Sequence, residues 1–210
     1  LSYGPSHLET VLNQLPPLSL YRRHYGSYTA ACEELGIEPL YNKGVIERFY
    51  EPPSEFEHIG IFVDTREQQP LKFKKSEEMK LDFGDYTSMG EHYTNTYVDR
   101  KSETDFKSTL STGFDRFTRE IQRAKDFDSY LYIVVESSIA KIKKNNVFCP
   151  HRSNLRYIWH NMRVLSHMFP RVCQFVFSGN RKNSEKVIPR LLSIGKPLWN
   201  VDIQYYLDKK

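Results

Sequence analysis

The sequence predicts an α/β protein, with a mixed central sheet flanked by helices and a small helical module in front of it. Three observations predict this. A Glu51-Pro52-Pro53-Ser54 turn separates two differently patterned halves. The second half opens with paired strand signals and continues as strands alternating with helical periods. Within it, Tyr130-Leu131-Tyr132-Ile133-Val134-Val135 is an unbroken apolar run, the pattern of a strand covered on both faces. The expected division is residues 1–54 for the module and 55–210 for the sheet domain.

In the module, residues 7–15 carry a helix signal that ends at Pro16-Pro17. Ser27 is a suitable N-cap for a second helix over 28–35, and Gly36 follows as its C′ residue. Past the Pro-Pro turn, residues 59–64 read as a short buried strand. Residues 81–86 and 93–101 read as two strands joined through Ser88-Met89-Gly90-Glu91. Phe106, Leu110, Phe117, Ile121 and Ala124 recur at helical spacing, with Gly113 as a break. After the 130–136 strand come a helix over 154–168, a strand over 172–177 and a helix over 184–194 kinked at Pro189.

Composition narrows the function. A chain of 210 residues with 39% hydrophobic and 27% charged side chains has core material for a globular domain and lacks the signature of disorder. No stretch approaches about eighteen apolar residues, so no membrane span is expected. The start, Leu1-Ser2-Tyr3-Gly4-Pro5, lacks the form of a secretory signal and has no Met, which suggests truncation. Three scattered cysteines, Cys32, Cys149 and Cys173, give no disulfide framework, so the expected setting is intracellular. Cys149, His151, His160, His167 and Cys173 match no familiar zinc spacing.

Charge is unevenly distributed. Residues 55–105 hold twelve Asp and Glu against seven Lys and Arg, a net of −5. Residues 141–190 hold eleven Lys and Arg against Glu185 alone, a net of +10, interleaved with Tyr157, Trp159, Phe169 and Phe175. Such a window attracts a polyanion, and nucleic acid is the expected partner. Arg152, Arg156, Arg163, Arg181 and Lys182 are its candidate phosphate contacts. Arg116 belongs to a helix face that could follow a backbone.

The acidic window carries the chemistry. In a strand, Asp99 and Lys101 point the same way and Arg100 the other. A hairpin turning near Met89 and Gly90 brings Asp85 beside Asp99. Two carboxylates on neighbouring strands with an ammonium nearby suit Mg²⁺ or Mn²⁺, which takes oxygen ligands and keeps several waters. One such water can become a nucleophile, and Lys101 can orient it or offset phosphorane charge.

The order of the surrounding residues is informative. Ile61-Phe62-Val63-Asp64-Thr65-Arg66-Glu67 is followed by Gly84-Asp85-Tyr86, then Val98-Asp99-Arg100-Lys101-Ser102 and Asp105-Phe106. Gly113-Phe114-Asp115-Arg116-Phe117 and Val134-Val135-Glu136 complete the series. Over about residues 58–200 the chain thus resembles the catalytic domain of the XPF-type nucleases, in the PD-(D/E)xK superfamily. The resemblance implies a restriction-endonuclease-like fold and metal-dependent hydrolysis of DNA phosphodiesters. By position it makes Asp85 a match to the family's Gly-Asp element, Asp99 and Lys101 to its acid-x-Lys element, and Asp105 to the acid that follows. Asp64 and Glu67 match the carboxylates of the first strand motif, which would join Asp85 and Asp99 around the metal, and Arg66 and Arg100 match its arginines. The family usually has Glu where this chain has Asp99. Its tandem helix-hairpin-helix region has no counterpart after Gly195, and its members often pair, which allows a homodimer.

The segment Tyr25-Gly26-Ser27-Tyr28-Thr29-Ala30-Ala31-Cys32-Glu33-Glu34-Leu35-Gly36-Ile37 resembles the short helical repeat associated with homing endonucleases. A capped helix carrying Tyr28, with Arg22 and Arg23 before it, would contact DNA. Three functions follow. The repeat-like segment favours a site-directed, homing-type endonuclease on duplex DNA. The nuclease core alone favours an enzyme of flaps, forks or junctions. The third is an inactive nuclease-fold scaffold, against which the intact Asp85, Asp99 and Lys101 argue.

Overall fold

A computed structural model describes residues 3–209; Leu1, Ser2 and Lys210, on which the reading of the chain ends bears, lie outside the described residues. The chain forms two compact units. One comprises the residues up to Val45 together with those from Asn200 on, and the other is Ile46–Trp199.

In the first unit, β1 (Tyr3–Gly4) leads into α1 (His7–Leu12), whose Ser6 and Glu9 form a reciprocal capping box. The helix stops at Leu12 rather than at residue 15. Gln14 takes a left-handed conformation (φ 53°), and Pro16-Pro17 cannot continue the helix. Pro17 instead serves as the cap of α2 (Leu18–Tyr25), a helix the sequence did not announce because only Leu18 on it is buried. The expected Ser27-capped helix is α3 (Tyr28–Glu34), with Ser27 Oγ accepting from the Ala30 N–H at 2.9 Å. β2 (Glu38–Pro39) then pairs in parallel with β1.

The second unit starts before the Pro-Pro turn expected to divide the chain. Short 3-10 turns at Glu47–Tyr50 and Pro53–Phe56 bury Phe49 and Phe56, whose rings lie 5.4 and 5.2 Å from the buried Arg190 guanidinium. These two apolar anchors draw the boundary back to Val45.

Its sheet comprises β3 (Ile61–Asp64), β4 (Ser76–Met79), β5 (Tyr86–Ser88), β6 (Thr96–Lys101), β7 (Tyr130–Val135) and β8 (Cys173–Phe177), in the order β4-β3-β5-β6-β7-β8. β5 is antiparallel to β3 and β6; the remaining neighbours are parallel. All six residues of β7 are buried, as the apolar run requires. The first arm of the expected hairpin differs: the strand is Tyr86–Ser88, and residues 81–85 bend instead, with Gly84 at φ +67°. The expected turn is the end of β5 followed by a 3-10 turn at Gly90–His92.

Helices flank this sheet. α4 (Glu103–Thr109) and α5 (Phe114–Asp126) break at Gly113 as expected, and α6 (Ile139–Phe148) precedes α7 (Leu155–Met168). α8 (Arg181–Ile194) packs across β5, β6 and β7, starting three residues earlier than predicted because Asn180 caps it. α9 (Ile203–Asp208) belongs to the first unit, where Asp202 accepts from the His7 N–H of α1 at 2.7 Å. Phe106 of α4 meets Phe175, Phe177 and Trp159 on one sheet face, while Trp199 stacks on Tyr130 on the other. The result is a mixed sheet covered by helices. No helix among the described residues is long and apolar enough to cross a membrane.

Candidate active site

Strand register builds the site. Val63 pairs with Tyr86 and Tyr86 with Val98, so one step further Asp64, Asp85 and Asp99 lie in a row across β3, β5 and β6. Backbone bonds carry this register past the end of β5: Asp64 N–H donates to Asp85 O, and Asp85 N–H to Val98 O, both at 2.8 Å. β7 ends at the same edge, where the Glu136 N–H donates to Lys101 O at 2.9 Å. An open cleft of about 400 Å³ lies here, lined by Arg66, Glu67, Asp85, Arg100, Lys101 and Asp105 among others.

Asp85 and Asp99 repel each other. Burial, and then the Asp99 charge, raise the Asp85 carboxyl well above the ordinary carboxylate range, although Lys101 and the Arg100 N–H at 2.7 Å oppose this. Lys101 Nζ lies 2.6 Å from Asp99 Oδ1 and 5.5 Å from the centre of the Phe117 ring. Burial alone would lower this lysine, but Asp99 and Asp85 prevail and hold it charged above its usual value. The second oxygen, Asp99 Oδ2, is buried with no hydrogen-bond partner. An ionised oxygen in that position calls for a cation or a proton.

Asp64 and Glu67 stand differently. Asp64 Oδ1 accepts from Arg66 N–H and Nε, and Oδ2 from Arg66 Nη2 and the Leu81 N–H, all between 2.7 and 2.9 Å. Four bonds fill the acceptor positions of the carboxylate. Burial works to raise its pKa, yet these bonds hold it below the ordinary value. Glu67 takes both prongs of Arg100 at 3.0 and 3.1 Å, and Arg100 Nη1 reaches Glu136 at 3.1 Å. Arg181 continues the chain of charges, 3.4 Å from Glu136, and its Nη2 donates to the carbonyls of Gln69 and Pro70. The loop after β3 is thus fastened to β6, β7 and α8. Asp105 is exposed and accepts from Ser102 Oγ at 2.6 Å, in the cap of α4.

The expected DNA contacts divide. Arg116, Arg152, Arg156 and Lys182 are exposed in the second unit, and Arg22 and Arg23 in the first. Arg163 is half-buried and engaged within the protein, and Arg181 is engaged as described. Tyr28, expected to contact DNA, donates its hydroxyl to Pro5 O at 2.6 Å and packs edge-on against Tyr21. Two acids have a part in the site that the sequence reading did not assign. Glu136 closes the arginine network. Glu120 on α5 accepts from the Gly84 N–H at 3.0 Å, and burial together with the Asp99 charge raises its pKa. Glu120 stands among arginines on an amphipathic helix, a pattern that marks a solvated face; only its contact with the Gly84 bend reveals it.

Among the described residues no three His, Cys, Asp or Glu side chains are grouped to hold a metal. Two carboxylates are nevertheless sufficient protein ligands for Mg²⁺, which fills its octahedron with water and substrate oxygens. The orphaned Asp99 Oδ2 beside the raised Asp85 fits a divalent cation.

No family model matches the sequence, and no curated protein matches it. Among solved structures, XPF from Aeropyrum pernix in complex with DNA is similar with a TM-score of 0.49 at 19% identity, over 65% of this chain and 64% of that one. A second structure of XPF from Aeropyrum pernix gives 0.46 at 19% identity, over 71% and 73%. In the first case the chain spans less than two thirds of the protein it matches. The likeness of residues 25–37 to homing-associated repeats has no counterpart in these comparisons.

Proposed function

We propose that this chain is a divalent-metal-dependent DNA endonuclease. The observation that carries the reading is the facing pair Asp85 and Asp99, with a charged Lys101 2.6 Å from Asp99 and one buried Asp99 oxygen unpartnered. Asp85 and Asp99 would hold Mg²⁺ or Mn²⁺, which when bound lowers the pKa of a water and offsets charge on the phosphoryl group. Lys101, kept protonated at the cleft, donates to a phosphate oxygen and stabilises the charge that grows on the phosphorane. Asp64 and Glu67, filled by Arg66 and Arg100, shape the β3 loop rather than binding the ion. Asp105 fixes the start of α4 beside the cleft.

Interrupted or branched DNA is the preferred substrate in this reading, because Tyr28 is engaged within its own unit. Site-directed cleavage retains one supporting observation, the exposed Arg22 and Arg23 in the last turn of α2. The test is cleavage of matched duplex, flap, fork and four-way DNA. Cutting at interruptions with Mg²⁺, abolished by EDTA and by Asp99→Asn, is expected. Full activity in EDTA overturns the metal. Discrete cuts in long matched duplex favour the site-directed enzyme, and binding without any cleavage favours the inactive scaffold.

A further inference from the structure

Between Glu136 and Glu185 the chain contains no carboxylate, and this acid-free stretch supplies α6, α7 and β8. α6 starts at its Ser138 cap, two residues past Glu136 of the site. Asn145 donates to Glu103 at 2.8 Å, which holds the helix against the first turn of α4, directly after Lys101. Ile142 is its buried residue. At about 100° per residue, Lys141, Lys144, Val147 and Phe148 then fall on the outer side.

Phe148 ends the helix 77% exposed, Val147 is 57% exposed, and Tyr157 in the first turn of α7 is 48% exposed. The turn between the helices is ordered: Asn146 and Ser153 exchange two hydrogen bonds, each 3.0 Å. Lys143 and Lys144 precede it on α6, Arg152 lies in it and Arg156 follows on α7, all exposed and without an ion pair among the described residues. A phenyl ring held in water on a fixed turn, amid unpaired cations and no acid, contributes nothing to the core.

We propose that this aromatic-tipped basic arm binds DNA at an unpaired base, with the cations on the flanking phosphates and the Phe148 ring stacked on the base. Charge selects the partner, since an arm whose own residues are basic and carry no carboxylate attracts a polyanion and repels a basic protein. The ring selects the position, because a base inside a continuous duplex has no free face on which an aromatic side chain can stack. This inference rests on the reading of the chain as a DNA nuclease and names the feature of DNA recognised beside its cleft.

The test uses the full chain with Ca²⁺, on two duplexes of equal length, one matched and one carrying an unpaired 2-aminopurine at a flap junction. Wild type is expected to quench the 2-aminopurine and to prefer the interrupted duplex. Phe148→Ala should lose roughly tenfold in affinity for that duplex and lose the quenching, while keeping its matched-duplex affinity. Phe148→Trp should restore both. The inference is overturned if Phe148→Ala, folded by circular dichroism, behaves as wild type or weakens equally on both duplexes. It is overturned too if wild type binds neither duplex, or if the substitution converts a dimer to a monomer by light scattering with DNA affinity unchanged. Cleavage with Mg²⁺, measured in parallel, separates the two readings. Stacking without cutting removes the nuclease and leaves the arm; cutting without any Phe148 effect does the reverse.

Discussion

Asp85 is held against its own chemistry. Burial and the Asp99 charge raise its pKa, so the folded chain takes up a proton at a higher pH than the unfolded chain does. Metal-free stability contributed by this group therefore grows as pH falls through the folded pKa and levels off below the unfolded value of about 4. Asp85→Asn mimics that protonation and keeps an acceptor for the Arg100 N–H. The expected result at neutral pH is a melting temperature raised by about 2–4 °C in EDTA, with cleavage at background. A lowered melting temperature would mean that the Asp85 charge is already compensated in the metal-free protein. At this scale the sequence was partly legible. Alternation along a strand predicts the shared direction of Asp99 and Lys101, whereas Arg66 folding back onto Asp64 leaves no periodic trace. The same is true of Glu120.

Elements were legible in proportion to their burial on a regular period. β7, covered on both faces, and α5, with its apolar stripe, were evident. β4 is an exposed edge strand of Ser76-Glu77-Glu78-Met79, and α6 has a single buried residue, so neither carries the alternation that would mark it. The bend at Gly84 was hidden for another reason. Its φ of +67° aims Asp85 across the strands, and a Cβ there would stand 3.1 Å from Val98 O and 3.2 Å from Leu131 Cδ1. Gly84→Ala should cost about 1–3 kcal/mol in denaturant unfolding and depress cleavage more than DNA binding. The basic window divides by element as well. Replacing Arg152, Arg156 or Lys182 with Gln should each reduce the log–log salt slope of DNA binding by about one. Arg181→Gln should leave the slope unchanged and lower the melting temperature, because its donors hold the Gln69 and Pro70 carbonyls. A slope change with Arg181→Gln would restore it as a phosphate contact.

For the whole molecule, the division into Ile46–Trp199 and the remainder sets where the chain can be cut. A protein limited to residues 46–199 should fold and keep metal-dependent cleavage, whereas one starting at Ser54 discards Phe49 and leaves the Arg190 guanidinium without that ring. Losing a buried Phe costs about 3–5 kcal/mol, so the shorter start should melt well below the longer one. If residues 1–45 carry site recognition, their removal should collapse a preference of about 10³ for a chosen sequence. A preference for interruptions should survive the same cut. The acid-free stretch from 137 to 184 has a further consequence. Asp64, Glu67 and Glu103 have lowered pKa values, so the stability they contribute above their unfolded values is lost as pH falls through the folded ones. All three precede β7, while α6 and α7 carry no carboxylate at all. Acidification thus strips ion pairs from the elements that precede β7, while α6 and α7 have no carboxylate to lose. The protein therefore meets an acidic compartment as two unequal halves, and amide exchange should open first along β3 and the loop that follows it.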